Sequence, residues 1–101
     1  MSLEIETINS IYTGETFSRK VNFKIDNVVQ DVGLYTITHY AYKESKTCQD
    51  KVYDPATATD GTVLIPSTIT DTMLGNYILI VIFDLAGFKT IRKVRFKVEG
   101  L

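Results

Sequence analysis

The sequence predicts an all-β fold, a two-sheet sandwich of about seven short strands without a long helix. Three observations carry that expectation. Apolar residues nowhere recur at i, i+3, i+4, i+7 over three turns, so no amphipathic helix of useful length can form. Short runs of period-two alternation are instead separated by Gly, Asp, Asn and Pro at the regular spacing of a sandwich. The chain also closes on two strand-like segments, residues 78–83 and 88–98, around the turn Asp84-Leu85-Ala86-Gly87. The first is wholly apolar and the second alternates apolar with basic residues.

The elements follow in order. Leu3, Ile5 and Thr7 alternate with Glu4, Glu6 and Ile8, as in an edge strand over residues 3–12. Thr13-Gly14-Glu15-Thr16 is a turn by its chemistry. Residues 17–26 put Phe17, Val21, Phe23 and Ile25 on one face and Ser18, Lys20, Asn22 and Lys24 on the other. Asp26-Asn27 opens a turn, and residues 28–33 favour no single element. Residues 34–43 are rich in aromatic and β-branched types, hence a strand, with Tyr35, Ile37 and Ala41 facing inward. Residues 44–50 form a polar loop carrying Cys48, residues 51–53 a very short strand, and residues 54–61 a turn-rich stretch ending in Asp60-Gly61. Residues 62–65 form a brief strand stopped by Pro66. Residues 67–74 hold at most one helical turn, capped by Ser67 or Thr70.

Bulk properties narrow the class. With 101 residues, 45% of them hydrophobic and 23% charged, the chain reads as one globular domain spanning residues 1–101. Eleven basic against twelve acidic residues give a net charge of -1, which argues against a general nucleic-acid or anionic-membrane binder. Cys48 is the only cysteine, so no intramolecular disulfide is expected. The longest apolar run, residues 78–83, is far short of the ~20 residues that span a bilayer. The N-terminus lacks the basic and apolar regions of a signal peptide.

Catalytic and metal chemistry is not signalled. His39 is the only histidine, and no second His or Cys completes a usual zinc set. Cys48 has no base beside it in sequence, Asp50, Asp54, Asp60 and Asp71 match no calcium loop, and the glycines are dispersed singly. No cofactor is implied. Two surfaces stand out instead. A strand that is apolar on both faces is either a central strand overlaid by a loop or by the stems of neighbouring lysines, or it awaits a partner, which makes Ile78, Ile80 and Ile82 a candidate interface without evident cover. Tyr40 and Tyr42 share one face of a strand and could form an aromatic binding platform. The row Lys89, Lys93, Arg95 and Lys97, with Ile91, reads as a solvated, edge-protecting face. Tyr77, two residues after Gly75, sits where Greek-key sandwiches place a corner tyrosine whose hydroxyl bonds back to the backbone.

Gly14-Glu15-Thr16-Phe17 leading into residues 21–26, Gly61 before residues 62–65, Leu74-Gly75-Asn76-Tyr77, and a closing Phe96-Lys97-Val98 together resemble one family. It is the immunoglobulin-like N-terminal domain of phage baseplate upper proteins, with related virion modules. The resemblance spans residues 13–98; Asp31-Val32-Gly33-Leu34 is a reduced form of that family's Asp-Leu-Thr-Gly step. It implies an immunoglobulin-like Greek-key sandwich in a virion, non-enzymatic, docking to other virion subunits or to copies of itself. The alternative is a carbohydrate- or surface-binding sandwich using Tyr40, Tyr42 and the loops.

Overall fold

The computed structural model describes residues 5–7, 10–46, 49–58 and 60–101. In chain order its strands are β1 (Ile5–Thr7), β2 (Ile11–Tyr12), β3 (Phe17–Lys20), β4 (Lys24–Ile25), β5 (Val28–Val29), β6 (Thr36–Lys43), β7 (Lys51–Ala58), β8 (Thr62–Ile65), β9 (Gly75–Leu85) and β10 (Phe88–Glu99). A 3-10 turn covers Val32–Leu34, and a single helical turn, α1, covers Ser67–Thr70. Cys48 and part of the expected first strand lie outside the described residues.

The architecture grows from the closing hairpin. Ala86 and Gly87 both have positive φ, at 51° and 89°, the backbone of a type I′ turn whose twist matches that of paired strands. The turn fixes the register of β9 on β10 from Leu85↔Phe88 to Gly75↔Val98. β6 adds antiparallel to the other side of β9, β7 adds to β6, and β1 and β2 run parallel to β10. The result is a six-stranded sheet in the order β1-β10-β9-β6-β7, with β2 also on β10. Opposite it lies the pair β3-β8, and β4-β5 forms a separate small hairpin. Two sheets with the third and eighth strands paired across from the closing hairpin make an immunoglobulin-like β-sandwich.

The inner face follows from parity. Leu79, Val81 and Phe83 of β9 are buried, as are Ile37 and Ala41 of β6 and Val94, Phe96 and Val98 of β10. Phe17, Val21 and Phe23 come down from the small sheet and its continuation. Their rings bridge the layers, Phe17 on Phe96 at 4.5 Å and Phe23 on Phe83 at 5.0 Å between centroids. Aromatic packing thus joins the sheets where antibody domains use a disulfide. Tyr35, inward as expected, packs at the rim of this cluster.

Three expectations are corrected. Ile25 is 40% exposed, because strand pairing lapses over residues 21–23 and the chain turns away at Asp26-Asn27 (φ 50° and 66°), so inward parity is lost. The stretch 51–58 is one strand, not a short strand and a turn. His39 pairs with Ala56 and Ala41 with Tyr53, so Asp54 and Pro55 together oppose Tyr40, which is a β-bulge. An edge strand with a bulge tolerates Pro55, which needs no ladder donor there. Neither Ser67 nor Thr70 caps α1: the N-cap position is Pro66, without a side-chain bond. The buried Thr70 hydroxyl instead donates to the carbonyls of Glu15 and Ser67, tying α1 to the turn before β3.

Candidate functional site

Since odd-numbered residues of β9 face the core, Ile78, Ile80 and Ile82 face outward. The register names their neighbours. Ile78 lies between Tyr42 and Arg95, Ile80 between Tyr40 and Lys93, and Ile82 between Thr38 and Ile91. Directly opposed residues of an antiparallel pair have Cβ atoms about 5 Å apart, so long side chains lie over a central strand. Ile78 and Ile80 are each only 5% exposed. Of the two alternatives, Ile78 and Ile80 fit the covered one, with tyrosine rings and cation stems of the same chain beside them. Arg95 illustrates this, since its Nε is buried while its guanidinium reaches Glu44 at 2.8 Å.

What the face presents outward is consequently mixed. The Tyr40 and Tyr42 rings are 6.5 Å apart and tilted by 32°, with Lys51 Nζ 4.5 Å from the Tyr40 centroid. Ile82 is half-buried and Ile91 exposed, forming an aliphatic pair beyond the tyrosines. Lys89, Lys93 and Lys97 flank them along β10, and Lys97 is 3.6 Å from Glu99. The two surfaces singled out separately in the sequence, the isoleucines and the tyrosine pair, are brought together on one face. The basic row belongs to it too. Its alternation was available in the sequence, but its register on β9 follows from the Ala86-Gly87 turn, and its place beside β6 from a long-range pairing.

Gly75 and Tyr77 sit apart, at the base of the hairpin. Gly75 has φ +112°, with Lys43 packed across it. The buried Tyr77 hydroxyl accepts a hydrogen bond of 3.2 Å from the Leu74 N–H, and its ring stacks on Phe96. These two residues organise the fold and contribute nothing to the outer face.

His39 shares the inward face of β6 and is 2% exposed. Its Nε2 lies 3.4 Å from both the amide nitrogen and the carbonyl oxygen of Leu64, on the side of β8 away from β3. Nε2 serves one of the two at a time, accepting from the Leu64 N–H in one tautomer or donating to the Leu64 carbonyl in the other, at a sheet edge where both lack a ladder partner. Nδ1 is buried and has no partner among the described residues. Sequence reasoning missed this role, since nothing local links residue 39 to residue 64. Burial strips water from the imidazolium and lowers the His39 pKa below its ordinary 6.5, outweighing the Leu64 bond, which raises it. As pH falls through 6.5 the unfolded chain takes up a proton that the folded domain resists, so stability is full above that value and declines below it. Urea melts across this range are expected to show the decline in the native protein and its loss in His39→Gln. A decline that persists in the variant would assign it to other groups.

Among the described residues, no group of three or more His, Cys, Asp or Glu side chains is placed to hold a metal, and no helix is long and apolar enough to cross a membrane. No protein-family model matches the sequence, and no curated protein matches it significantly. Among solved structures the chain is similar to the crystal structure of CD84, described with the function of the SLAM family. The identity is 14%, covering 97% of this chain and 100% of that one, with a TM-score of 0.49. The immunoglobulin-like assignment rests on strand order and register.

Proposed function

We propose that this domain is a non-enzymatic assembly module that docks to neighbouring subunits through the outer face of its six-stranded sheet. The observation that carries docking is the composition of that face: Tyr40, Tyr42, Ile82 and Ile91 above a buried aliphatic floor, rimmed by cations. Aromatic and aliphatic anchors with a polar rim are the usual anatomy of a protein interface. The setting we propose is a phage or prophage particle, in its baseplate or tail. It rests on the sequence resemblance carried by Gly14 to Phe17, Leu74 to Tyr77 and Phe96 to Val98. Other virion subunits are the partners in this reading; nucleic acid and membrane are not, in keeping with the near-neutral net charge of -1.

The experiment is complementation. Deleting the gene from its source prophage is expected to leave particles defective in the tail or baseplate, and the native gene to restore them. Ile91→Lys alters an exposed position, so it is expected to melt like the native domain and yet fail to restore assembly. Normal particles after the deletion would overturn the virion setting, and full rescue by Ile91→Lys would overturn the face. A second reading, carbohydrate or surface binding, draws on the tilted Tyr40–Tyr42 pair beneath Lys51. Saturable glycan-array binding by the monomer, abolished in Tyr42→Ala, would favour it.

A further inference from the structure

The charge on the outer face is unevenly matched. Arg95 is held by Glu44 and Lys97 lies near Glu99. Lys89 and Lys93 have no carboxylate at ion-pair distance among the described residues, and Ile91 stands between them on the same face of β10. Cation, aliphatic group and cation therefore recur at every second residue, about 6.8 Å apart at the rise of a strand. Across the hairpin, Lys93 opposes Ile80, Ile91 opposes Ile82 and Lys89 opposes Asp84, the nearest acid on the neighbouring strand. Lys51 adds a further cation on the Tyr40 side. Much of the basic complement is thus gathered on a chain of net charge -1, which leaves the rest of the surface acidic.

From this pattern, and resting on the docking reading above, we infer that the face takes an extended acidic segment of a partner protein. In that segment two carboxylates flank an apolar side chain at i, i+2 and i+4. Side chains on one side of an extended chain recur with the same spacing as Lys89, Ile91 and Lys93, so each carboxylate meets an ammonium while the apolar group lies on Ile91 and Ile82. The segment lies on the face, where the Lys89, Ile91 and Lys93 side chains stand, and over residues 93–95 the ladder edge of β10 is already taken by β1. A second copy of this chain is the poorer occupant. A two-fold contact sets the same patch against itself and would oppose Lys89, Lys93 and Lys51 with one another.

The test is an NMR titration of the isotope-labelled domain with the synthetic peptide Glu-Thr-Leu-Thr-Glu, capped at both ends. Its controls are the neutral Gln-Thr-Leu-Thr-Gln and the rearranged Glu-Glu-Thr-Thr-Leu. The acidic alternating peptide is expected to shift the amides of Thr38, Ile82, Ile91 and Lys93 saturably, with affinity falling as salt is added. A Lys89→Glu/Lys93→Glu variant, confirmed folded by its melt, is expected to lose binding by roughly tenfold or more. Equal binding of the neutral peptide at the same face would overturn the acidic partner while leaving docking intact. Equal binding of the rearranged peptide would overturn the i, i+2, i+4 match and reduce the site to general anion attraction. Absence of shifts, shifts elsewhere, or self-association through this face in light scattering would overturn the inference outright. The complementation experiment decides the docking reading separately.

Discussion

Replacing Phe96 with alanine is expected to cost the domain roughly 3–5 kcal/mol in a urea melt. Phe96 is 1% exposed on the inner face of β10. Its ring lies 4.5 Å from that of Phe17 on the opposite sheet and 5.9 Å from that of Tyr77 on the neighbouring strand. Deleting it removes apolar burial and opens a cavity between two rings that belong to different layers. Relaxation is limited, because Phe17 is held in register with Ile65 and Tyr77 by its bond from Leu74. A small domain has only about 5–15 kcal/mol in total, so the variant should be close to its folding limit. A loss under about 1 kcal/mol, the range of surface substitutions, would mean that the ring does not bridge the sheets.

Gly61→Ala is the second large effect, and it works through the backbone. Gly61 has φ +83°, and a Cβ there would stand 2.5 Å from the Val21 carbonyl oxygen and 3.0 Å from Val32 Cγ2. The Val21 N–H already donates to the Gly61 carbonyl at 2.8 Å, so the two segments cannot part without losing that bond. Left-handed backbone costs an L-residue about 1–2 kcal/mol, and forced overpacking typically about 1–3 more. Together they predict a loss of roughly 2–5 kcal/mol. Gly87→Ala is the control: it has φ +89° but nothing within 4 Å of the added carbon. It should show the conformational cost alone, so comparable losses in the two variants would contradict the close packing at Gly61.

The closing hairpin was legible as a hairpin, from an unbroken apolar strand, a glycine-ended turn and an alternating partner. The structure narrows the turn of residues 84–87 to Ala86-Gly87, which carries the first strand on to Leu85 and sets the register. Residues 51–58 were misread for the opposite reason. Asp54-Pro55 is turn chemistry locally, and it becomes strand only because β6 supplies a partner and the bulge absorbs the extra residue. Ile25 failed as soon as pairing lapsed, since alternation has meaning only while a strand continues. His39 was visible as the sole histidine, but its bond to Leu64 crosses 25 positions between opposite sheets.

The outer face divides the same way. The sequence by itself determined that β9 is apolar on both sides, that β10 carries cations at every second residue, and that Tyr40 and Tyr42 share a face. These are consequences of the two-residue period of a strand, which needs no tertiary information. Only the tertiary structure decided that the three features adjoin and that tyrosine rings and cation stems already cover Ile78 and Ile80. Which strand pairs with β9 is a choice among distant segments, made by core burial on the inner face. The outer surface inherits its neighbours from that choice.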